Sequence, residues 1–475
     1  MGRKNKKVVV NEVEVVDLGA KGKAVGKKDS AVFFIDNAVP GDVCDVQVYK
    51  KRKSYAHARP IKFHSYSTER VEPVCQHFGV CGGCKWQNLD YKAQLRYKES
   101  YVLNNLKKMA AIEPEECLPI KGSSHEYFYR NKLEFTFTNN RWLTTEELES
   151  SANFENRSGV GFHIPGFWDK VLDVNKCHLQ PEPSNAIRSF VRKLALENNF
   201  SFYDIREKSG FLRTLMIRTT STNETMVVFQ LGEDNKEWID LLMHAVLKEF
   251  PDITSLQYAI NKKLNDSIYD LEIVNFYGPG YIVEKMPSYF QGTNDLKFRI
   301  GPKSFYQTNS EQAFELYKTT LDFANLKAGE TVYDLYTGTG TIALFLAQKA
   351  GKVVGIESVP EAITDAYANA EFNGITNAEF VVGDMKDAFN DDFISTHGTP
   401  NVIVTDPPRD GMHPSVVKKL LEIEVPRIVY VSCNPATQAR DLLELKTKYR
   451  IVKSCAVDMF PQTHHIENVV LLERI

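Results

Sequence analysis

The stretch Ile428-Val429-Tyr430-Val431-Ser432-Cys433-Asn434-Pro435 decides the fold. Its first four residues are apolar and partly β-branched, the pattern of a buried strand. The strand runs into a cysteine followed by Asn-Pro, and proline disfavours a helical residue before it. Cys433 is therefore predicted on the turn at the carboxyl end of a sheet strand, the edge at which open α/β sheets bind ligands. A thiol there can act as a nucleophile once deprotonated. A lone strand-end cysteine is more commonly a small packing residue, so its neighbours must choose between the two.

Working outward, residues 331–335 form a buried strand, 336–341 its loop and 341–349 a helix. Strands at 353–357, 379–382 and 401–405 follow, so Cys433 ends the fifth of a set alternating with helices, as in a Rossmann-like sheet. Gly338 and Gly340 let the backbone approach a ligand closely at the helix start. Glu357 ends the second strand about 20 residues on, where an acid accepts both hydroxyls of a ribose. Asp384 after the third strand could meet an adenine amino group, and the fourth ends in Asp406-Pro407-Pro408-Arg409. A nicotinamide dehydrogenase would be satisfied by Gly338, Gly340 and Ala343. Hydride transfer, however, gives no reason for Asp-Pro-Pro or for the cysteine. The sheet of an S-adenosylmethionine-dependent methyltransferase accounts for both.

The chain has 475 residues, 43% apolar and 25% charged, which predicts a soluble protein of several domains. No apolar run approaches the roughly 20 residues of a membrane helix. The start, Met1-Gly2-Arg3-Lys4-Asn5-Lys6-Lys7, is basic without the apolar segment of a secretory signal, so a cytoplasmic location is expected. Residues 1–64 hold 14 Lys+Arg against 7 Asp+Glu, and the remainder 44 against 54. A basic head on an acidic body suits a head that touches a polyanion. Within 8–64, short alternating runs separated by Gly19, Gly22, Gly26 and Pro40-Gly41-Asp42 predict a small β-barrel. Tyr55 and His57 beside Lys50-Lys51-Arg52-Lys53 put stacking faces next to phosphate-seeking charges. The segment resembles the TRAM module, an OB-like barrel found on RNA-modifying enzymes.

Of eight cysteines, Cys75, Cys81 and Cys84 lie within ten residues, with Gly82 and Gly83 allowing a tight turn between the last two. Cys177 supplies a natural fourth sulfur. In a cytoplasmic chain such a set predicts a metal site rather than disulfides, either iron–sulfur or zinc. Cys44, Cys117 and Cys455 match no motif and are read as packing residues. A helix is expected from Asn88 to about residue 109, with Leu95, Val102, Leu106 and Met109 on one face and Lys92, Arg96, Lys98 and Lys107 on the others. Residues 126–295 mix strand-like runs with helices at 184–197 and 236–250, an α+β region. Tyr127, Tyr129, Arg130 and Lys132 there are read as packing a sheet.

Five segments in order make a family resemblance specific: Gly301-Pro302-Lys303-Ser304-Phe305-Tyr306-Gln307-Thr308-Asn309, Asp334-Leu335-Tyr336-Thr337-Gly338-Thr339-Gly340, Asp406-Pro407-Pro408-Arg409, Ser432-Cys433-Asn434-Pro435 and the run from Asp458 to Glu467, Asp-Met-Phe-Pro-Gln-Thr-His-His-Ile-Glu. Together they resemble the RNA uracil-C5 methyltransferase family, and the whole chain is most like its branch that methylates 23S ribosomal RNA. The resemblance implies a multidomain α/β protein. Residues 1–64 are the RNA-binding barrel, 65–86 and 119–300 a central α+β domain with a [4Fe-4S] cluster on Cys75, Cys81, Cys84 and Cys177, and 87–118 with 301–475 a class I methyltransferase domain. It implies that Cys433 attacks uracil C6 and that Glu467 removes the C5 proton. Gln307, Tyr336, Glu357 and Asp406 match S-adenosylmethionine positions, and Thr341 and Asp384 align there too. Thr337 stands where many members have cysteine. Arg409 and Gln307 are candidates to steady an enolate oxygen or the cofactor carboxylate, and His465 is read as a structural hydrogen-bonder. The partner implied is ribosomal RNA and the chain is expected to be a monomer. Transfer RNA is the alternative substrate, although members acting on it typically lack barrel and cluster. An idle RNA-binding or assembly factor is the alternative of another class.

Overall fold

The computed structural model describes residues 8–150, 156–290 and 292–475; the basic start Met1–Lys7 lies outside them. Strands β1 (Val8–Leu18), β2 (Ala24–Lys28), β3 (Ala31–Ile35), β4 (Val43–Lys51) and β5 (Ala56–Ser65) close into a barrel in the order β1-β2-β3-β5-β4. Their alternation turns Val13, Val15, Ile35, Cys44, Val46 and Ala58 into one dry core.

Helix α1 (Tyr91–Ala110) and strand β6 (Glu116–Lys121) follow. The helix differs from expectation at both ends. Asp90, not Asn88, caps it, accepting the Lys92 and Ala93 N–H groups. Met109 is 49% exposed, whereas Gln94 and Lys98 are fully buried. The buried face follows the four-residue spacing of Gln94, Lys98, Val102, Leu106 and Ala110.

The central sheet is built from β7 (Lys132–Thr138), β8 (Gly159–Ile164), β9 (Phe167–Asp173), β10 (Leu212–Thr219), β11 (Thr225–Leu231), β12 (Ser255–Ile260) and β13 (Val274–Tyr277), in the order β13-β12-β11-β10-β7-β8-β9. A short helix, α2 (Thr145–Glu149), lies in the β7–β8 connection. Helices α3 (Ser184–Glu197) and α4 (Lys236–Glu249) share one core with this sheet through Ile187, Val191, Leu242 and Val246. Met216, Met226 and Val228 join instead a core that continues through the hairpin β14 (Ile282–Met286) and β15 (Leu296–Ile300) into the C-terminal sheet.

That last sheet contains β16 (Thr331–Leu335), β17 (Lys352–Glu357), β18 (Ala378–Val382), β19 (Val402–Thr405), β20 (Arg427–Ser432), β21 (Tyr449–Val457) and β22 (Glu467–Arg474). Their order is β18-β17-β16-β19-β20-β22-β21-β6, parallel through β20 and with β22 antiparallel to both its neighbours. Helices α5 (Ser310–Ala324), α6 (Thr341–Ala347), α7 (Pro360–Phe372), α8 (Met385–Ala388), α9 (Asp391–His397), α10 (Pro414–Ile423) and α11 (Pro435–Leu445) cover its two faces. Strand β20 shows why its sequence is apolar throughout. Val429 and Val431 enter one core layer while Ile428 and Tyr430 enter the other. Among the described residues no helix is long and apolar enough to cross a membrane.

Candidate active site

Cys433 is half-buried and follows β20 directly. Asn434 caps α11 through the Ala436 N–H and donates its amide to the Arg409 carbonyl at 2.9 Å. Thr437 Oγ1 donates to the same carbonyl at 3.2 Å, so the β19 loop carrying Asp406 and Arg409 is fastened to the loop carrying Cys433. Glu467 opens β22 and is 5% exposed. The β20–β22 ladder ends at the Ser432–Asn468 pair. Cys433 directly follows this pair on one side and Glu467 directly precedes it on the other, and the Glu467 charge acts on the thiol.

The electrostatics bind these residues into one site. Burial, then Glu467 and Asp406, push the Cys433 thiol up to about 12, while the Arg409 guanidinium opposes them. Burial and Asp406 hold Glu467 well above the ordinary carboxyl range, again against Arg409. Burial and Asp334 raise Asp406 to about 7. Burial and the shared negative charge therefore make each of these three groups harder to ionise in the free site. His464 and His465, their tilted rings 4.1 Å apart, are drawn down to about 4 and about 3, mainly by burial, and both are uncharged at neutral pH.

The loop after β16 forms the neighbouring wall. Tyr336 holds a left-handed φ of 67°. The Gly338 N–H donates to Glu357 Oε2 at 3.1 Å, and Glu357 Oε1 takes the Ser358 and Val359 N–H groups at 2.7 and 3.0 Å. Glu357 is thus fixed at the carboxyl end of β17, below the loop. A Cβ on Gly338, at φ +56°, would meet no heavy atom within 4 Å. The backbone there borders an open cradle, as a nucleoside-bearing cofactor requires. Thr339 Oγ1 donates to the Phe305 carbonyl, drawing the 301–309 segment with its buried Gln307 against this loop. Two aligned residues are engaged otherwise: the Thr341 hydroxyl meets Tyr317 OH at 2.9 Å, and exposed Asp384 caps α8 and pairs with Lys386 at 3.2 Å.

Cys75, Cys81, Cys84 and Cys177 line a single cavity of about 690 Å³. Burial pushes Cys84 up to about 12 and Cys177 to about 11, and each thiol feels other members of the set. Among the described residues no three His, Cys, Asp or Glu side chains converge closely enough to hold one metal ion. The four cysteines thus share one cavity, but among the described residues neither a zinc site nor an iron–sulfur site is shown on them. Arg130 and Thr308, which also line the cavity, keep a buried Nε and Oγ1 without a hydrogen-bond partner. These donors suit an anionic occupant.

Residues that sequence reasoning placed elsewhere complete the site. Lys98, expected on an outer face of its helix, is fully buried, and its ammonium donates to Asp458 Oδ1 at 2.6 Å and to the Phe460 carbonyl at 3.1 Å. The signal was present: stepping back by four from Leu106 and Val102 reaches Lys98 and then Gln94. Arg130, read as sheet packing, lies over the Phe460 ring at 5.5 Å.

The profile of the tRNA (uracil-5-)-methyltransferase family matches residues 280–475. An uncharacterized RNA methyltransferase of Bacteroides thetaiotaomicron is 53% identical over 96% of this chain and all of its own length. One of Chlorobaculum tepidum is 38% identical over 98% and 96%. The crystal structure of a Pyrococcus abyssi tRNA (uracil-54, C5)-methyltransferase, in complex with S-adenosyl-L-homocysteine, superposes with a TM-score of 0.74 at 28% identity. That alignment covers 97% of this chain and 99% of that one.

Proposed function

Because the chain belongs to the RNA uracil-C5 methyltransferase family and is S-adenosylmethionine-dependent, we propose that it methylates C5 of a specific uridine in 23S ribosomal RNA, in the cytoplasm, as a monomer. The observation that carries the chemistry is the proximity of Cys433 and Glu467 beside Asp406 and Arg409.

Uracil C5 is a poor nucleophile. Cys433 gives up its proton to solvent and its sulfur bonds to C6; the C5–C6 π pair moves toward O4, leaving an enolate with an electron-rich C5. S-adenosylmethionine supplies the methyl group on a positively charged sulfur. Gln307, Tyr336, Glu357 and Asp406, with Thr341 and Asp384 at the margin, are the residues assigned to hold it. Its positive charge also offsets the crowding of acids that raises Cys433 and Glu467 in the free site. Once C5 carries the methyl group, Glu467 takes the C5 proton, the C5=C6 bond re-forms and the sulfur leaves. Arg409 favours the thiolate and stands near the developing enolate.

In this reading residues 1–64 bind RNA, 65–86 with 119–300 form the central domain, and 87–118 with 301–475 the catalytic one. The target base must leave its stack to reach a thiol within a cleft, so an unpaired loop or a flipped nucleotide is required. Cys75, Cys81, Cys84 and Cys177 would hold a [4Fe-4S] cluster of structural role.

One observation favours a second substrate. The Pyrococcus abyssi enzyme, which acts on tRNA, aligns with 97% of this chain. That leaves no room for the barrel to be missing from it, so a barrel does not by itself exclude transfer RNA. Incubation with S-adenosylmethionine and 5-fluorouridine-substituted ribosomal RNA or transfer RNA, in separate reactions, tests both readings, because after methyl transfer fluorine cannot leave as a proton does and the adduct is trapped. An adduct of ribosomal RNA on Cys433 is expected. An adduct with transfer RNA alone selects the second reading, and none with either rejects both.

A further inference from the structure

The loop that leads to Glu467 is gripped from outside the methyltransferase sheet. Gln94 and Lys98 lie four residues apart on α1 and are both fully buried. Lys98 takes the loop at Asp458 and Phe460. Gln94 takes it at Gln462: its side-chain oxygen accepts the Gln462 N–H at 3.0 Å, and its amide donates to Gln462 Oε1 at 3.0 Å. The same amide donates to the Trp86 and Leu89 carbonyls at 3.1 and 2.9 Å. From the other side, the Gln462 carbonyl accepts the N–H groups of Lys85 and Trp86, at 2.9 and 3.1 Å, the two residues that follow Cys84. Gln462 holds φ +65°, a backbone state that costs a non-glycine residue about 1 kcal/mol and persists only where its surroundings impose it. Tyr129 OH on the central domain donates to the preceding Pro461 carbonyl at 2.9 Å.

We propose that Gln94 is a positioning residue for Glu467: through its two-way amide pair with Gln462 it fixes the entry of the base-bearing segment into the cleft and joins that segment to the cysteine loop. This rests on the reaction proposed above, and it adds a step-specific consequence. Glu467 acts only after the sulfur–carbon bond and the new carbon–methyl bond exist. A displaced Glu467 therefore leaves both bonds formed and only the C5 proton and the sulfur waiting to depart. A merely structural defect would slow every step together.

The test uses the full chain with unmodified substrate RNA and S-adenosylmethionine, comparing Gln94→Met with wild type and with Glu467→Gln, which sets the scale for a lost base. Expected for Gln94→Met are a single-turnover rate of methyl incorporation within about threefold of wild type, steady-state turnover at least about tenfold lower, and enzyme accumulating as a denaturation-resistant complex with methylated RNA. Gln462→Met, which keeps the backbone bonds to Lys85, Trp86 and Gln94, should shift the same ratio in the same direction by less, and serves if Gln94→Met does not fold. Equal loss of single-turnover and steady-state rates, or wild-type adduct levels in both variants, overturns the assignment. A wild-type enzyme that leaves uridine C5 unmethylated in either RNA fails the reading beneath it, and the clamp falls with that reading.

Discussion

Cys433 and Glu467 flank the Ser432–Asn468 pair that ends the antiparallel β20–β22 ladder, one directly after Ser432 and the other directly before Asn468. Two adjacent strands thus end beside the residues proposed as nucleophile and base, Glu467 on β22 itself and Cys433 on the turn directly after β20. The proximity has a cost in the free protein, because burial raises both groups, Glu467 and Asp406 raise the thiol further, and Asp406 raises Glu467.

Cys433→Ala should abolish methylation and trapping by 5-fluorouridine RNA. Glu467→Gln should still transfer one methyl group per enzyme but turn over about 10²–10⁴-fold more slowly, the usual worth of a positioned base. Rapid-quench assays of methyl incorporation separate the two.

A Cys433 thiol raised to about 12 should alkylate slowly at pH 7. Its rate should climb roughly tenfold per pH unit through pH 8–10, since only the thiolate reacts. Iodoacetamide labelling of that residue, followed by peptide mass spectrometry, measures this. Addition of S-adenosylmethionine should shift the profile to lower pH.

Asp406 keeps its proton to about pH 7 when folded, whereas an unfolded aspartate loses it near pH 4. The folded state thus binds the extra proton between these values, and stability falls as pH rises from about 4 to 7. Asp406→Asn should be more stable than wild type above pH 7 by about 2–4 kcal/mol, at 1.36 kcal/mol per unit, and equal to it below pH 4. Urea denaturation at pH 4 and pH 8 checks the sign.

Lys98→Met leaves the Asp458 carboxylate buried without its cation. A loss of about 3–5 kcal/mol is expected, and Lys98→Met with Asp458→Asn should recover part of it. Thermal and urea unfolding of the single and double variants report the coupling.

Anaerobically purified protein should carry about four iron and four acid-labile sulfide per chain, and Cys177→Ser should reduce both. Colourless protein with neither would remove the cluster from the proposal.

Local pattern revealed much of this architecture. Strand 331–335 and helix 184–197 are bounded by turn residues and clear periodicity, and each forms with those limits. Cys433 stood out because Asn-Pro stops its strand. Lys98 and Gln94 lie on the four-residue step that the helix pattern offers, but their partners Asp458 and Gln462 are some 360 residues away, so nothing local marks those polar positions as buried. Met109 was misjudged for the same reason, since only tertiary packing decides which face of α1 is covered. The engagement of Thr341 by Tyr317 likewise depends on a residue of the preceding helix, 24 positions earlier.

Strand β6 completes the catalytic sheet by pairing with β21, although residues 122–448 separate them in the chain. During synthesis this early strand therefore waits, unpaired at one edge, while everything between is made. The sheet closes only when the two ends of this span meet, so its outermost pairing is a long-range contact that forms late in folding.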